Sequence, residues 1–143
     1  MIAHAFALLL LVTTAVRAPN GTLITVEIAA TGTEREIGLM HRTSLAPNSG
    51  MLFVFPSDAT QRFWMKDTLI PLDMVWIDSQ KRVIHIEKNA APCPVIRREC
   101  PSYGPDAPAR YVLELSSGAA DRLGIKPGTN LTFQTPANLK VTN

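Results

Sequence analysis

The chain has 143 residues, with 14 Lys and Arg against 12 Asp and Glu and a formal net charge of +2 at pH 7. That length accommodates one domain with a single core. The near-even charge balance argues against nucleic acid as a partner, because phosphate binding needs a concentrated basic face. The one basic cluster, Arg97-Arg98, is followed at once by Glu99.

Ala5 to Val16 is an apolar run with only Thr13 and Thr14 as polar breaks. Val16-Arg17-Ala18 puts small residues at positions −3 and −1 of a cut after Ala18. The run is shorter than the roughly 20 apolar residues of a bilayer span. The reading is a signal peptide over residues 1–18, followed by one β domain over 19–143. No membrane span remains after cleavage, and the destination is the periplasm or the exterior. Two features depart from the pattern: the start carries no Lys or Arg, and Arg17 abuts the cut. The alternative is an uncleaved anchor.

Leu23 to Ala30 alternates, with Ile24, Val26 and Ile28 on one face, as in a half-buried strand. Thr33 and Glu36 have the spacing of a capping box, which predicts a short helix carrying Ile37 and Met40 on one side. Met51 to Phe55 is apolar on both faces, as in a central strand. Phe63 to Met65 opens another apolar segment, Ile70-Pro71 interrupts it, and Leu72 to Ile77 resumes as a strand. Asp78 to Lys81 is a turn, and Val83 to Lys88 is the returning strand.

Residues 89–108 hold five of the eleven prolines and little periodicity, which predicts a long loop. Cys93 and Cys100, the two cysteines of an exported chain, favour a disulfide closing that loop. The bridge is worth roughly 2.5 kcal/mol by chain entropy. Metal needs three or four ligands, and these two thiols have no His nearby; the spacing is also not that of a Cys-x-x-Cys redox pair. Tyr111 to Leu115 alternates as a further strand, Ser117 is placed to cap a short helix through Leu123, and Gly124 supplies its stop. Lys126-Pro127-Gly128 reads as a type II turn, Leu131 to Phe133 as a last strand, and the chain from about Pro136 as a frayed polar tail. The fold class is mainly β: a small β-sandwich or partly closed barrel with two short helices.

Four blocks of the chain resemble the prokaryotic family catalogued as domain of unknown function 192. They are Glu34 to Arg42, Gly50 to Phe55, Phe63 to Met74, and Ala109 to Leu115 with the Gly124-to-Gly128 turn. The resemblance spans Thr33 to Phe133 and its third block is the most specific. It implies a mostly β fold and, often, export, but no reaction. The family usually carries Asn where this chain has Asp67.

The candidate site is the stretch from Trp64 to Asp73. Trp64, Met65, Lys66, Asp67, Thr68 and Asp73 concentrate charge between bulky apolar residues, where charged groups are exposed or paired. One reading is a polar pocket beside an aromatic wall, with Lys66 offered to an anion. The other is a structural network in which Asp67 and Asp73 satisfy backbone donors around the proline corner. Arg35 and Arg42, seven apart, would share a helix face and form an anion clamp, or else pair with nearby glutamates. Met40, Met51, Met65 and Met74 could ligate Cu(I) or fill core, without the close spacing of a copper site. No nucleophile-and-histidine motif occurs.

The expectation is a non-catalytic extracytoplasmic binding or accessory module with no cofactor and no metal. Its partner would be a small molecule or an envelope protein. The alternative is a small hydrolase or lyase using Asp67 or Asp73 with Lys66.

Overall fold

Period-two alternation on three central strands gives this domain two apolar faces. The computed structural model describes residues 11–94, 96 and 99–143. Six strands form one sheet: β1 (Thr13–Arg17), β2 (Leu23–Ala29), β3 (Ser49–Thr60), β5 (Leu72–Ile77), β6 (Val83–Ala90) and β8 (Pro108–Ser116), in the order β1-β2-β3-β8-β5-β6. Two short strands, β4 (Phe63–Trp64) and β7 (Ser102–Tyr103), pair separately. All neighbours in the large sheet run antiparallel except β2 and β3. That parallel pair needs a crossover, and the crossover carries helix α1 (Gly32–Ile37).

Leu52, Val54, Val75, Ile77, Leu113 and Leu115 point to one face, where Ile24, Val26, Leu131, Phe133 and helix α2 (Ala119–Arg122) complete the inner core. Met51, Phe53, Met74, Trp76 and Val112 point to the other face and pack with Leu39, Met65 and Cys93. Met51, Met65 and Met74 are fully buried there, so these methionines fill core. Trp76 is also fully buried, and its indole N–H donates to the Gln61 carbonyl at 2.8 Å.

The sheet does not close on itself. Residues 129–132 tie its two ends instead. Arg17 N–H donates to Thr132 O at 2.8 Å, Leu131 N–H to Lys81 O at 2.9 Å and Val83 N–H to Thr129 O at 2.8 Å. The last strand expected over Leu131 to Phe133 is therefore a stitch between edges, made of single bridges to Arg17 and Arg82, and the fold is a partly closed barrel.

Several local expectations shift. The capping box at α1 is Thr31 with Glu34, two residues earlier than the Thr33–Glu36 spacing indicates: Glu34 N–H donates to Thr31 Oγ1, and Thr31 N–H donates to Glu34 Oε1. Helix α2 has no side-chain cap of its own, because Gly118 stands at its N-cap and the Ser117 hydroxyl donates to Asn89 Oδ1. The Asp73 carboxylate from β5 does that work, accepting from Gly118 and Ala120 N–H at 3.1 and 3.0 Å and from Asn89 N–H at 2.9 Å. The Lys126-to-Thr129 turn forms as read, with Gly128 at φ 90° and Thr129 N–H donating to Lys126 O.

Both ends of the described chain are tied into the fold. Residues 1–10 of the apolar run lie outside the described residues, as do Arg97 and Arg98. Its last part does not: Thr13–Arg17 pairs residue for residue with β2, and Val16 is fully buried. A domain boundary after Ala18 would divide the sheet. The tail does not fray at Pro136 either. Leu139 and Val141 pack against the inner core, and Thr142 N–H donates to Ala30 O at 3.1 Å.

Two stability measurements follow from this wiring. A chain beginning at Pro19 loses a buried valine and a full strand pairing, so its urea unfolding free energy should fall by about 3 kcal/mol or more against the full chain; equal stability would place β1 outside the folded unit. Asp73→Ala strands three backbone donors, one of them buried. It should lower the urea midpoint by an amount equivalent to about 3 kcal/mol with the slope unchanged.

Candidate functional site

β8 is the centre of the site, because it is flanked on both sides and buried on both faces. On the outer face of the sheet its Glu114 stands in register with Met51 of β3 and Met74 of β5. The residue is only 5% exposed. Among the described residues its carboxyl has no hydrogen-bond or ion-pair partner. Burial among methionines pushes its pKa from 4.5 up to about 8.

Glu114 borders a cavity of about 230 Å³. One wall is the end of α1 and the turn after it, from Arg35 to Met40. Gly38 terminates α1 with φ 46°, in the left-handed region, and a Cβ there would come within 3.1 Å of the Phe53 ring. The opposite wall is aromatic. Phe63 stacks edge-to-face on Phe53 at 4.9 Å and on buried Trp76 at 6.0 Å, and Phe55 meets it at 6.1 Å. Trp64, about half exposed, stands with Ile37 at the mouth.

Three cations line the cavity, and two are already engaged. The Arg35 guanidinium lies 5.0 Å over the Phe55 ring and donates to Ala30 O at 2.6 Å, Val54 O at 3.0 Å and Thr142 O at 2.5 Å. Burial lowers its pKa, with Glu34 opposing. Arg62 donates to Gly104 O and Ser102 O. Lys66 is exposed, and its ammonium lies 5.2 Å over the Trp64 ring. Among the described residues no carbonyl or carboxylate pairs with it.

The Cys93–Cys100 disulfide forms and positions this segment. Cys93 N–H donates to Met65 O at 3.2 Å, and Asp67 N–H donates to Cys93 O at 3.0 Å. Asp67 adopts φ 53° in the left-handed region. Asn and Asp are the non-glycine residues that tolerate that region best, so the side chain here suits the backbone conformation.

The sequence-derived candidates therefore separate. Trp64, Lys66, Thr68 and Arg35 line the cavity, and buried Met65 packs in the outer core. Thr68 is buried, and its hydroxyl donates to Lys66 O at 3.3 Å. Asp67 and Asp73 do not line it, and Asp73 lies on the opposite face of the sheet, where it caps α2. Arg42 does not join Arg35 in a clamp. It lies beyond α1, which ends at Ile37, and pairs with Glu27 of β2. No group of three or more His, Cys, Asp or Glu side chains able to hold a metal occurs among the described residues.

Glu114, Phe53, Phe55 and Phe63 escaped the sequence reading. The signal for Glu114 was a carboxylate between Leu113 and Leu115 in a strand whose other neighbours are Tyr111 and Val112. An ionisable group between two apolar neighbours on a central strand is seldom buried without a role.

The model of the family DUF192, described as Uncharacterized ACR, COG1430, matches residues 14–133. Two solved structures are similar. One, from Sinorhizobium meliloti 1021 and provisionally described as a transcription regulator, is 37% identical with a TM-score of 0.75, over 86% of this chain and 95% of its own. The other, from Novosphingobium aromaticivorans DSM 12444 and described as a protein of unknown function, is 34% identical with a TM-score of 0.76, over 92% of this chain and 91% of its own. Among curated proteins no relative matches.

The buried carboxyl gives this chain a distinctive pH response. Between pH 4.5 and about 8 the folded form keeps a Glu114 proton that the unfolded form has released. Stability from this group is therefore greatest below pH 4.5 and falls as pH rises through about 8. Glu114→Gln removes that dependence. Urea unfolding from pH 5 to 9 should show the wild type losing on the order of 4 kcal/mol relative to the variant. Parallel profiles would mean the carboxyl ionises as readily folded as unfolded.

Proposed function

The chain belongs to the DUF192 family, and from its cavity we propose that it is a non-catalytic extracytoplasmic binding module for a small molecule. One observation carries this reading. A preformed, aromatic-walled cavity is bordered by one buried carboxyl, Glu114, while the other carboxyl in its lining, Glu36, is exposed. Ligand sites are typically apolar concavities with a few convergent polar groups. A hydrolase or lyase built on Asp67 or Asp73 with Lys66 has less support, because neither carboxylate lines the cavity and three backbone N–H groups occupy that of Asp73 on the far side of the sheet. The exposed apolar side chains Ile37 and Trp64 serve the same cavity as its rim.

Export rests on the disulfide, which persists outside reducing compartments, and on the apolar run at the start of the chain. The exported form keeps β1, since a cut after Ala18 would remove it from the sheet. The regulator description of the S. meliloti structure is not carried over, because a net charge of +2 does not supply a phosphate-binding face.

The test combines location with binding. Fractionated cells, treated with a thiol-alkylating reagent, should yield the protein in the periplasmic or secreted fraction with both cysteines blocked. A cytosolic protein with two reactive thiols would end the export reading. The full chain, screened against a metabolite library by thermal shift, should gain several degrees with at least one compound that is recovered chemically unchanged. Conversion of a bound compound to product would replace the binding module with an enzyme.

A further inference from the structure

We propose that the cavity takes a small aromatic acid, its carboxylate at exposed Lys66, its ring against Phe63 and a hydrogen-bonding substituent meeting buried Glu114. This specifies the ligand class and rests on the reading of the cavity as a binding site. Three observations point the same way.

The first is size. About 230 Å³ is room for roughly seven or eight waters at ~30 Å³ each, which accommodates one substituted ring. The edge-to-face array of Phe53, Phe55 and Phe63 offers flat apolar surface to such a ring.

The second is charge. Arg35, Arg62 and Lys66 line the cavity, against Glu36 and Glu114. Arg35 donates to three backbone carbonyls, and Arg62 to Gly104 O, Ser102 O and the Ser102 hydroxyl, so among the described residues Lys66 is the lining cation with no protein acceptor to give up for a ligand anion. A cationic ligand would be opposed at the mouth, and the faces of Phe55 and Trp64 already carry Arg35 and Lys66.

The third is the buried carboxyl. Glu114 with its pKa near 8 is protonated at neutral pH, so it adds no charge to repel an anion. A neutral carboxyl both donates and accepts, and pairs with a hydroxyl or carbonyl on the ligand. Leaving such a group unmatched in a filled site is costly, which makes it a source of selectivity.

The experiment titrates the full chain at pH 7 with three probes that share one ring: 4-hydroxybenzoate, phenol and tyramine, read by tryptophan fluorescence and by NMR. The anion should bind tightest. Lys66→Ala should weaken 4-hydroxybenzoate about tenfold, leave phenol unchanged, and be rescued by Lys66→Arg. Because Lys66 is exposed, the variant should keep the wild-type melting temperature. Glu114→Gln, which retains a donor and an acceptor, should hold 4-hydroxybenzoate within about threefold. Tyramine binding more tightly than the anion, and being lost in Glu114→Gln, would overturn the acid assignment while leaving a binding site in place. Failure of all three probes to perturb the Trp64 and Phe63 resonances would overturn both.

Discussion

Strands β3, β8 and β5 lie side by side in the middle of the sheet with apolar clusters on both faces. A residue in such a position meets no bulk solvent whichever way it points, so each polar side chain there must find protein partners or bear the cost of isolation. Two buried carboxylic acids occupy these strands, and they resolve the constraint in opposite ways. Asp73, directed to the inner face, accepts three backbone N–H bonds and thereby starts a helix that has no cap of its own. Glu114, directed to the outer face, is left beside a cavity with its proton retained. The first converts burial into architecture, and the second holds in reserve an interaction that the protein itself does not complete.

Much of the sheet was legible because alternation and turn chemistry act locally. Leu72 to Ile77, Val83 onward and Tyr111 to Leu115 show their strand character in the order of apolar residues, and the proline–glycine turn at 127–128 declares its own geometry. The elements that local pattern left out are those whose structure depends on distant residues. Thr13–Arg17 is apolar enough to resemble a leader, and only its pairing with β2 makes it a strand. Polar residues from Pro136 onward look unanchored until Arg35 and Ala30 are placed beside Thr142.

The site divided along the same line. Lys66, Trp64 and Thr68 are near in sequence and near in space, so their cluster was visible in one segment. Asp67 and Asp73 share that segment but are turned away, the first by a left-handed backbone and the second by strand alternation. Glu114 arrives from a strand about fifty positions later, and nothing local announces which cavity it meets. The disulfide loop bridges these two scales, since its Cys93 backbone clasps both Met65 and Asp67 and holds the lysine segment over the sheet.

The stitch at residues 129–132 has a kinetic meaning. It joins β1 to the β5–β6 turn, and the nearby Thr14 hydroxyl donates to the Gln134 carbonyl across 120 positions of chain. Contacts of that separation require large loop-closure entropy to be overcome before they return any stabilisation, and topologies rich in them fold slowly. The barrel cannot be sealed during synthesis until almost the whole polypeptide has emerged from the ribosome. A nascent chain of this design stays open for longer than a helical bundle of equal length, because its last contacts wait on its last residues.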